Sequence, residues 1–235
     1  MPRSLFDVPR SLAFYFAFYG MTLALVVVGG IAMLIGREAL IAVVHFWCRF
    51  HHGCARHLLR IDVAIEGQPP RHGVLLAVKH EAMYEAIELP NLVPLPAPFA
   101  KVELMRLPMW GRFAQIYGLI GVERNGGAKA LRQMVTDARQ RLADGRSLAI
   151  FPEGTRVPHG QRPPLQSGFA GIYKLLNLPV VPVAVDSGPY YHGAWKHPGT
   201  IRVRFGEEIP AGLPRAEIEA RVHAAINALN PGDPA

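Results

Sequence analysis

His80 and Glu85 follow an apolar run at residues 73–78, and Glu153, Thr155 and Arg156 follow another at 147–150. Short apolar runs closed by Pro, Gly or charged residues read as buried strands ending in turns. In open α/β sheets, ligands bind beyond the carboxyl ends of strands. Two such ends carrying ionisable residues predict one shared site. A histidine with a carboxylate partner suits proton abstraction from a hydroxyl. The imidazole accepts the proton, while the carboxylate orients the ring and stabilises the imidazolium. Positions five apart on a regular helix differ by about 140° and do not share a face. His80 is therefore expected in the turn before a helix, folded back toward Glu85.

Cations come next. Lys101, Arg106, Arg112 and Arg124 lie on or near the following strand and helix segments. Arg124 precedes Gly126-Gly127, a Gly-rich helix start where backbone N–H groups and a guanidinium can together hold a phosphate. The chain has no Gly-x4-Gly-Lys-Ser/Thr loop and no Gly-x-Ser-x-Gly elbow. Neither Cys48 nor Cys54 sits in a motif that lowers a thiol pKa. Without a covalent nucleophile, the expected chemistry is direct attack by a bound substrate hydroxyl. His45, Cys48, His51, His52, Cys54 and His57 crowd one segment. Their spacings match no closed zinc pattern, so no metal is expected.

The elements that position these residues alternate between strand and helix. Strands are expected at 61–65, 73–79, 99–101, 119–122, 147–151, 180–185 and 201–205. Helices are expected at 82–89, stopped by Pro90, and at 108–117, 128–143, 168–176 and 214–229. A Pro-rich linker spans 90–98. This alternation predicts an α/β domain, with a mixed, largely parallel sheet flanked by helices, over residues 60–235.

Residues 1–59 differ in texture. Positions 11–36 carry no charge over 26 residues. As a helix this stretch is about 39 Å long, enough to cross a hydrocarbon core of ~30 Å. Phe14, Tyr15, Phe16, Phe18 and Tyr19 cluster at one end, as interface aromatics do. Gly29-Gly30 marks a candidate break. Residues 39–59 mix Ile, Val, Phe and Trp with Arg49 and Arg56, reading as an amphipathic helix at a membrane surface. Arginines flank the apolar stretch on both sides, so charge gives no orientation. The first 59 residues are thus expected to be a membrane-associated helical segment. A net charge of +7 and pI near 9.7 favour anionic partners, and a mean hydropathy of +0.17 tilts these toward lipid. No zinc-finger spacing, RNA-binding aromatic octet or long basic block supports a nucleic-acid partner.

In this order the residues resemble the glycerolipid acyltransferase family of the 1-acylglycerol-3-phosphate O-acyltransferase type. That family's first block, His-x4-Asp, corresponds to His80 through Glu85. Lys101-Val102-Glu103-Leu104 and Gly121-Val122-Glu123-Arg124 resemble its second. Its third, Phe-Pro-Glu-Gly-Thr-Arg, is complete at residues 151–156, and Val180 through Val185 resembles its fourth. Glu85 departs from the usual Asp by one methylene, and Ala82 stands where Ser is common.

The resemblance implies an enzyme that acylates a lysophospholipid, forming phosphatidic acid from 1-acylglycerol-3-phosphate. The acyl donor is a thioester substrate, acyl-CoA or acyl carrier protein, and no cofactor is involved. His80 and Glu85 are implied as catalytic. Lys101, Arg124 and Arg156 are implied to hold the acceptor phosphate, with Glu153, Gly154 and Thr155 completing the substrate-binding turn. A bacterial inner-membrane location with the site on the cytoplasmic side follows from the same resemblance. Other lysolipid acceptors, such as a lyso-ornithine lipid, keep the same chemistry. An inactive lipid-binding protein is the alternative that the Glu85 departure raises.

Overall fold

The computed structural model describes residues 3–123 and 127–230. Helix α1 (Asp7–Ile35) and helix α2 (Arg37–His57) form an N-terminal hairpin. The chain turns at Gly36, whose φ of 147° suits a residue without Cβ. Gly29-Gly30 does not break α1, contrary to the sequence expectation. Gly29 instead serves close packing: a Cβ there would lie 2.8 Å from Cζ of Phe113. Helix α1 is long and apolar enough to cross a membrane by length and composition. Phe16 and Leu34 on it are each 87% exposed.

Strand β1 (Ile61–Glu66), strand β2 (Leu75–Val78) and helix α3 (Tyr84–Leu92) come next. Pro90 lies inside α3 instead of stopping it. Its missing N–H costs one hydrogen bond, and the helix ends at Leu92, within the same turn. Strand β3 (Ala97–Lys101) absorbs the end of the expected linker, with Pro98 opposite Ala149. Helix α4 (Val102–Met105), helix α5 (Trp110–Tyr117), strand β4 (Ile120–Val122) and helix α6 (Gly127–Ala143) lead to strand β5 (Leu148–Ile150). Helix α7 (Ser167–Leu176), strand β6 (Val180–Val185), helix α8 (Gly188–Tyr191), strand β7 (Gly199–Phe205) and helix α9 (Arg215–Ile226) complete the chain. The one-turn helices α4 and α8 were not expected from the sequence, because four residues carry no readable periodicity.

The strands form one sheet in the order β1-β7-β6-β2-β5-β3-β4. All neighbours pair in parallel except β6 and β7. Successive residues of a strand face opposite sides, and both sides are buried here, which is why the central runs are continuously apolar. Leu76 and Val78 of β2 join Val181, Val183, Ile201 and Val203 under Phe14 and Phe18 of α1 and Leu59. Leu75 and Ala77 point the other way, with Leu148 and Ile150, toward Met134 of α6, Phe169 of α7 and Ile218 and Val222 of α9. Expected period-two burial in β1 holds at Ile61 but fades at Ile65, which is 54% exposed at the sheet edge.

Arg146 anchors the neighbouring helix and loop. Its guanidinium is buried and donates to three carbonyls, those of Leu95 (2.7 Å), Pro96 (2.7 Å) and Tyr117 (2.5 Å).

Candidate active site

Strands β2 and β5 are parallel neighbours, so the two motif-bearing turns leave the sheet side by side. His80 lies in the turn between β2 and α3, and Glu85 in the first turn of α3. The His80 Nδ1–H donates to Oε1 of Glu85 at 3.1 Å, the fold-back that the spacing requires. The same oxygen accepts the backbone N–H groups of Glu81 and of Ala82, the latter at 2.8 Å. The other oxygen accepts the Ser187 hydroxyl at 2.7 Å. Four donors therefore fix one carboxylate, and the carboxylate fixes the imidazole. With Nδ1 committed as a donor, Nε2 is the ring's acceptor. The ring is also held from its face, stacked on Phe151 with centroids 4.1 Å apart.

The turn after β5 is built around Glu153, which faces inward. Oε1 accepts the Lys79 ammonium at 2.5 Å, and Oε2 accepts the His80 backbone N–H at 3.1 Å. Lys79 is itself fully buried, and also donates to Oδ1 of Asn227 (2.9 Å) and the carbonyl of Gln161 (3.1 Å). Glu153 thus braces the His80 turn from below. Gly154 adopts a φ of 69°, which favours glycine, and its N–H donates to the Phe151 carbonyl at 2.9 Å. Beyond it, Thr155 and Arg156 are exposed. The Val157 N–H returns to the His80 carbonyl at 2.7 Å, closing the two turns onto each other.

Lys101 is exposed at the carboxyl end of β3, two strands from β2 and on the same edge of the sheet. Arg124 lies outside the described residues. Among the described residues, no group of three or more His, Cys, Asp or Glu side chains is arranged to hold a metal ion.

Several residues that sequence reasoning gave no role support the site. Ser187 follows β6, the other neighbour of β2, so its hydroxyl reaches Glu85 from a third strand end. A small polar residue just past an apolar strand was the available signal. Glu81 is fully buried beside this pair. It accepts the His159 Nδ1–H at 3.0 Å and the Gly188 N–H at 2.8 Å. Burial raises its carboxyl above the ordinary range, against the pull of those two donors. Lys196 is buried next to α8, its ammonium 4.1 Å from the Tyr191 ring centroid and bonded to the Tyr191 and Gly193 carbonyls. Burial, reinforced by the nearby Arg156 charge, pushes Lys196 down to about 8.

A family model described as Acyltransferase matches residues 60–186. The chain is 33% identical over 194 residues to a Pseudomonas aeruginosa protein named 1-acyl-sn-glycerol-3-phosphate acyltransferase, covering 79% of this chain and 75% of that one. A human relative named 1-acyl-sn-glycerol-3-phosphate acyltransferase beta is 25% identical over 160 residues, covering 66% and 58% of the two chains. The crystal structure of the 1-acyl-sn-glycerophosphate (LPA) acyltransferase PlsC from Thermotoga maritima superposes with a TM-score of 0.74 at 19% identity, covering 94% of this chain and 95% of the other. That likeness is one of fold. The matched span runs from the start of β1 to the end of β6 and contains the His80 and Glu153 turns, so this chain belongs to the acyltransferase family.

Proposed function

We propose that the chain transfers an acyl group from acyl-CoA or acyl carrier protein to the sn-2 hydroxyl of 1-acylglycerol-3-phosphate, forming phosphatidic acid. The observation that carries this reading is the His80–Glu85 pair, with Nδ1 held by a four-donor carboxylate and Nε2 left as the acceptor. The names of the relatives support the choice of acceptor.

In the proposed reaction, the acceptor hydroxyl gives its proton to Nε2 of His80 as its oxygen attacks the thioester carbonyl. Glu85 stabilises the imidazolium that forms. The tetrahedral intermediate collapses with cleavage of the C–S bond, and the imidazolium returns the proton to the leaving thiolate. No acyl-enzyme forms. Arg156 at the mouth of the site, Lys101 along the sheet edge and Arg124 are assigned to the acceptor phosphate, and Thr155 to the rim. Gly154 shapes the turn, and Glu153 positions His80 through its backbone.

The hairpin of residues 1–59 is assigned to the membrane, where acceptor and product reside, and residues 60–235 to catalysis. The exposed apolar side chains of α1 support that division. With a soluble thioester as donor, the site is assigned to the cytoplasmic side of a bacterial inner membrane.

The test is purified protein with labelled acyl-CoA or acyl carrier protein and a panel of lysolipids. Phosphatidic acid should form from 1-acylglycerol-3-phosphate, and His80→Ala should lose about 10²–10⁴-fold in kcat. Turnover confined to a lysolipid without a phosphate monoester would overturn the acceptor assignment. Unchanged turnover in His80→Ala would overturn the mechanism.

A further inference from the structure

Glu85 and Ser187 meet at 2.7 Å, and each begins a helical turn that leads away from the site. Glu88 lies one turn beyond Glu85 on α3, and Tyr191 lies one turn beyond Ser187 on α8. These two do not bond to each other. The imidazole of His51, from α2, stands between them. Its Nδ1–H donates to Oε1 of Glu88 at 2.5 Å, and its Nε2 meets the Tyr191 hydroxyl at 2.7 Å. The two helices are thus joined by two parallel rungs: Glu85–Ser187, and one turn away Glu88–His51–Tyr191.

We infer that His51 is a positioning residue for the His80–Glu85 pair, setting the spacing of α3 and α8 and through it the Glu85–Ser187 contact that aims His80. The inference rests on the reading of His80 and Glu85 as the reacting pair.

The chemistry of the second rung requires an imidazole. A rigid ring with a donor on one edge and an acceptor on the other can satisfy a carboxylate and a phenol at a fixed separation. If His51 served only as filler, an apolar ring would occupy the space without burying polar atoms. His51 is instead fully buried, with Phe14 and Phe18 of α1 edge-on to it at 5.8 and 4.9 Å. Glu88 is held from its other side as well. Its Oε2 accepts His52 Nδ1–H at 3.0 Å and the Asn91 amide at 2.9 Å, and that amide also donates to the Cys48 carbonyl at 3.0 Å. Burial acts to raise the Glu88 carboxyl, and the bonds from His51 and His52 outweigh it and hold it below its ordinary value. The seating of the N-terminal hairpin is thereby read directly at the reacting pair.

His51→Phe keeps the ring and removes both bonds, and His51→Gln can restore a donor and an acceptor. Tyr191→Phe removes one oxygen and keeps the packing, and serves if His51→Phe fails to fold. The readouts are kcat, acceptor KM and the ¹⁵N signature of the His80 ring tautomer in detergent-solubilised enzyme. His51→Phe should lower kcat about 10–100-fold through misaimed groups. KM should stay within about twofold, as expected when ground-state binding is untouched. His51→Gln should recover part of kcat. The Nδ1–H tautomer of His80 should lose its dominance in His51→Phe. Combined with Ser187→Ala, the losses should fall short of multiplying, because both act through one spacing.

A wild-type His80 tautomer in His51→Phe, or in Tyr191→Phe if that is the folded variant, would overturn the inference. So would a kcat loss matched by an equally destabilised variant elsewhere, such as Arg146→Met. The tautomer readout needs no substrate. Failure of the proposed function, seen as no turnover by the wild type, is therefore distinguishable from failure of this inference.

Discussion

Lys79 and Glu153 illustrate how two buried side chains can brace the turn that carries the proposed base, His80. Both are buried, and their pairing leaves one carboxylate oxygen for the His80 backbone N–H. Removing one partner of a buried ion pair is far more damaging than never having had it. Lys79→Met should lower unfolding free energy by about 3–5 kcal/mol in urea denaturation. Lys79→Met with Glu153→Gln should lose less, since no lone carboxylate is left behind. Equal losses in the single and double variants would contradict this account. His80, Glu85 and residues 151–156 were legible in the sequence because each motif lies within one turn. The buried partners Lys79 and Ser187 were not. Lys79 lies 74 positions from Glu153 and Ser187 102 positions from Glu85, and strand order alone brings them together.

At the scale of elements, the α1–α2 hairpin docks on the α/β layer through particular contacts. The Gly29–Phe113 approach joins α1 to α5 where a side chain would collide. A glycine inside a helix costs roughly 1 kcal/mol relative to alanine. In Gly29→Ala that gain should roughly cancel the displacement of the Phe113 ring. Gly29→Leu has no such allowance and should cost about 1–3 kcal/mol by overpacking. Thermal unfolding of the two variants checks this, and a neutral Gly29→Leu would show the hairpin to be loosely seated. The sequence showed α1 and α2 through their length and apolar texture. It misread Gly29-Gly30 as a break, because a glycine that admits a neighbouring ring looks the same in sequence as one that bends a helix. Pro90 was misread for a related reason: in the last turn of a helix, a lost N–H bond is cheap enough to tolerate.

Across the whole molecule, the loop at 193–198 fastens the α/β layer to the start of α1. His197 Nδ1–H donates to Asp7 at 2.8 Å, the Lys196 N–H donates to Ser11 Oγ at 2.9 Å, and the Tyr15 hydroxyl donates to the Ala194 carbonyl. Lys196 gives this junction a pH dependence. The unfolded chain keeps the lysine proton up to an ordinary value of 10.5, whereas the folded chain releases it near 8. Between those values the unfolded state binds more protons, so folding stability rises with pH across that window and is lost again as pH falls through about 8. The wild type should therefore gain melting temperature between pH 8 and 10.5 relative to Lys196→Met, and parallel curves would refute the assignment. The α/β class and the largely parallel sheet were readable from alternating segments. The antiparallel insertion of β7 between β1 and β6 was not, since nothing local in a strand states which neighbour it will choose.

That insertion also shapes how the chain is made. In the sheet, β1 pairs with β7 alone, and the Glu66–Arg204 bond across them spans 138 positions. At ribosomal rates of about 5–20 residues per second, that gap takes roughly 7–28 s to synthesise. Throughout that interval the nascent chain carries its apolar hairpin joined to a strand with both edges open, the kind of edge that invites pairing with other chains. Early capture of the hairpin by the bilayer would hold that strand apart from its sister copies until β7 leaves the ribosome.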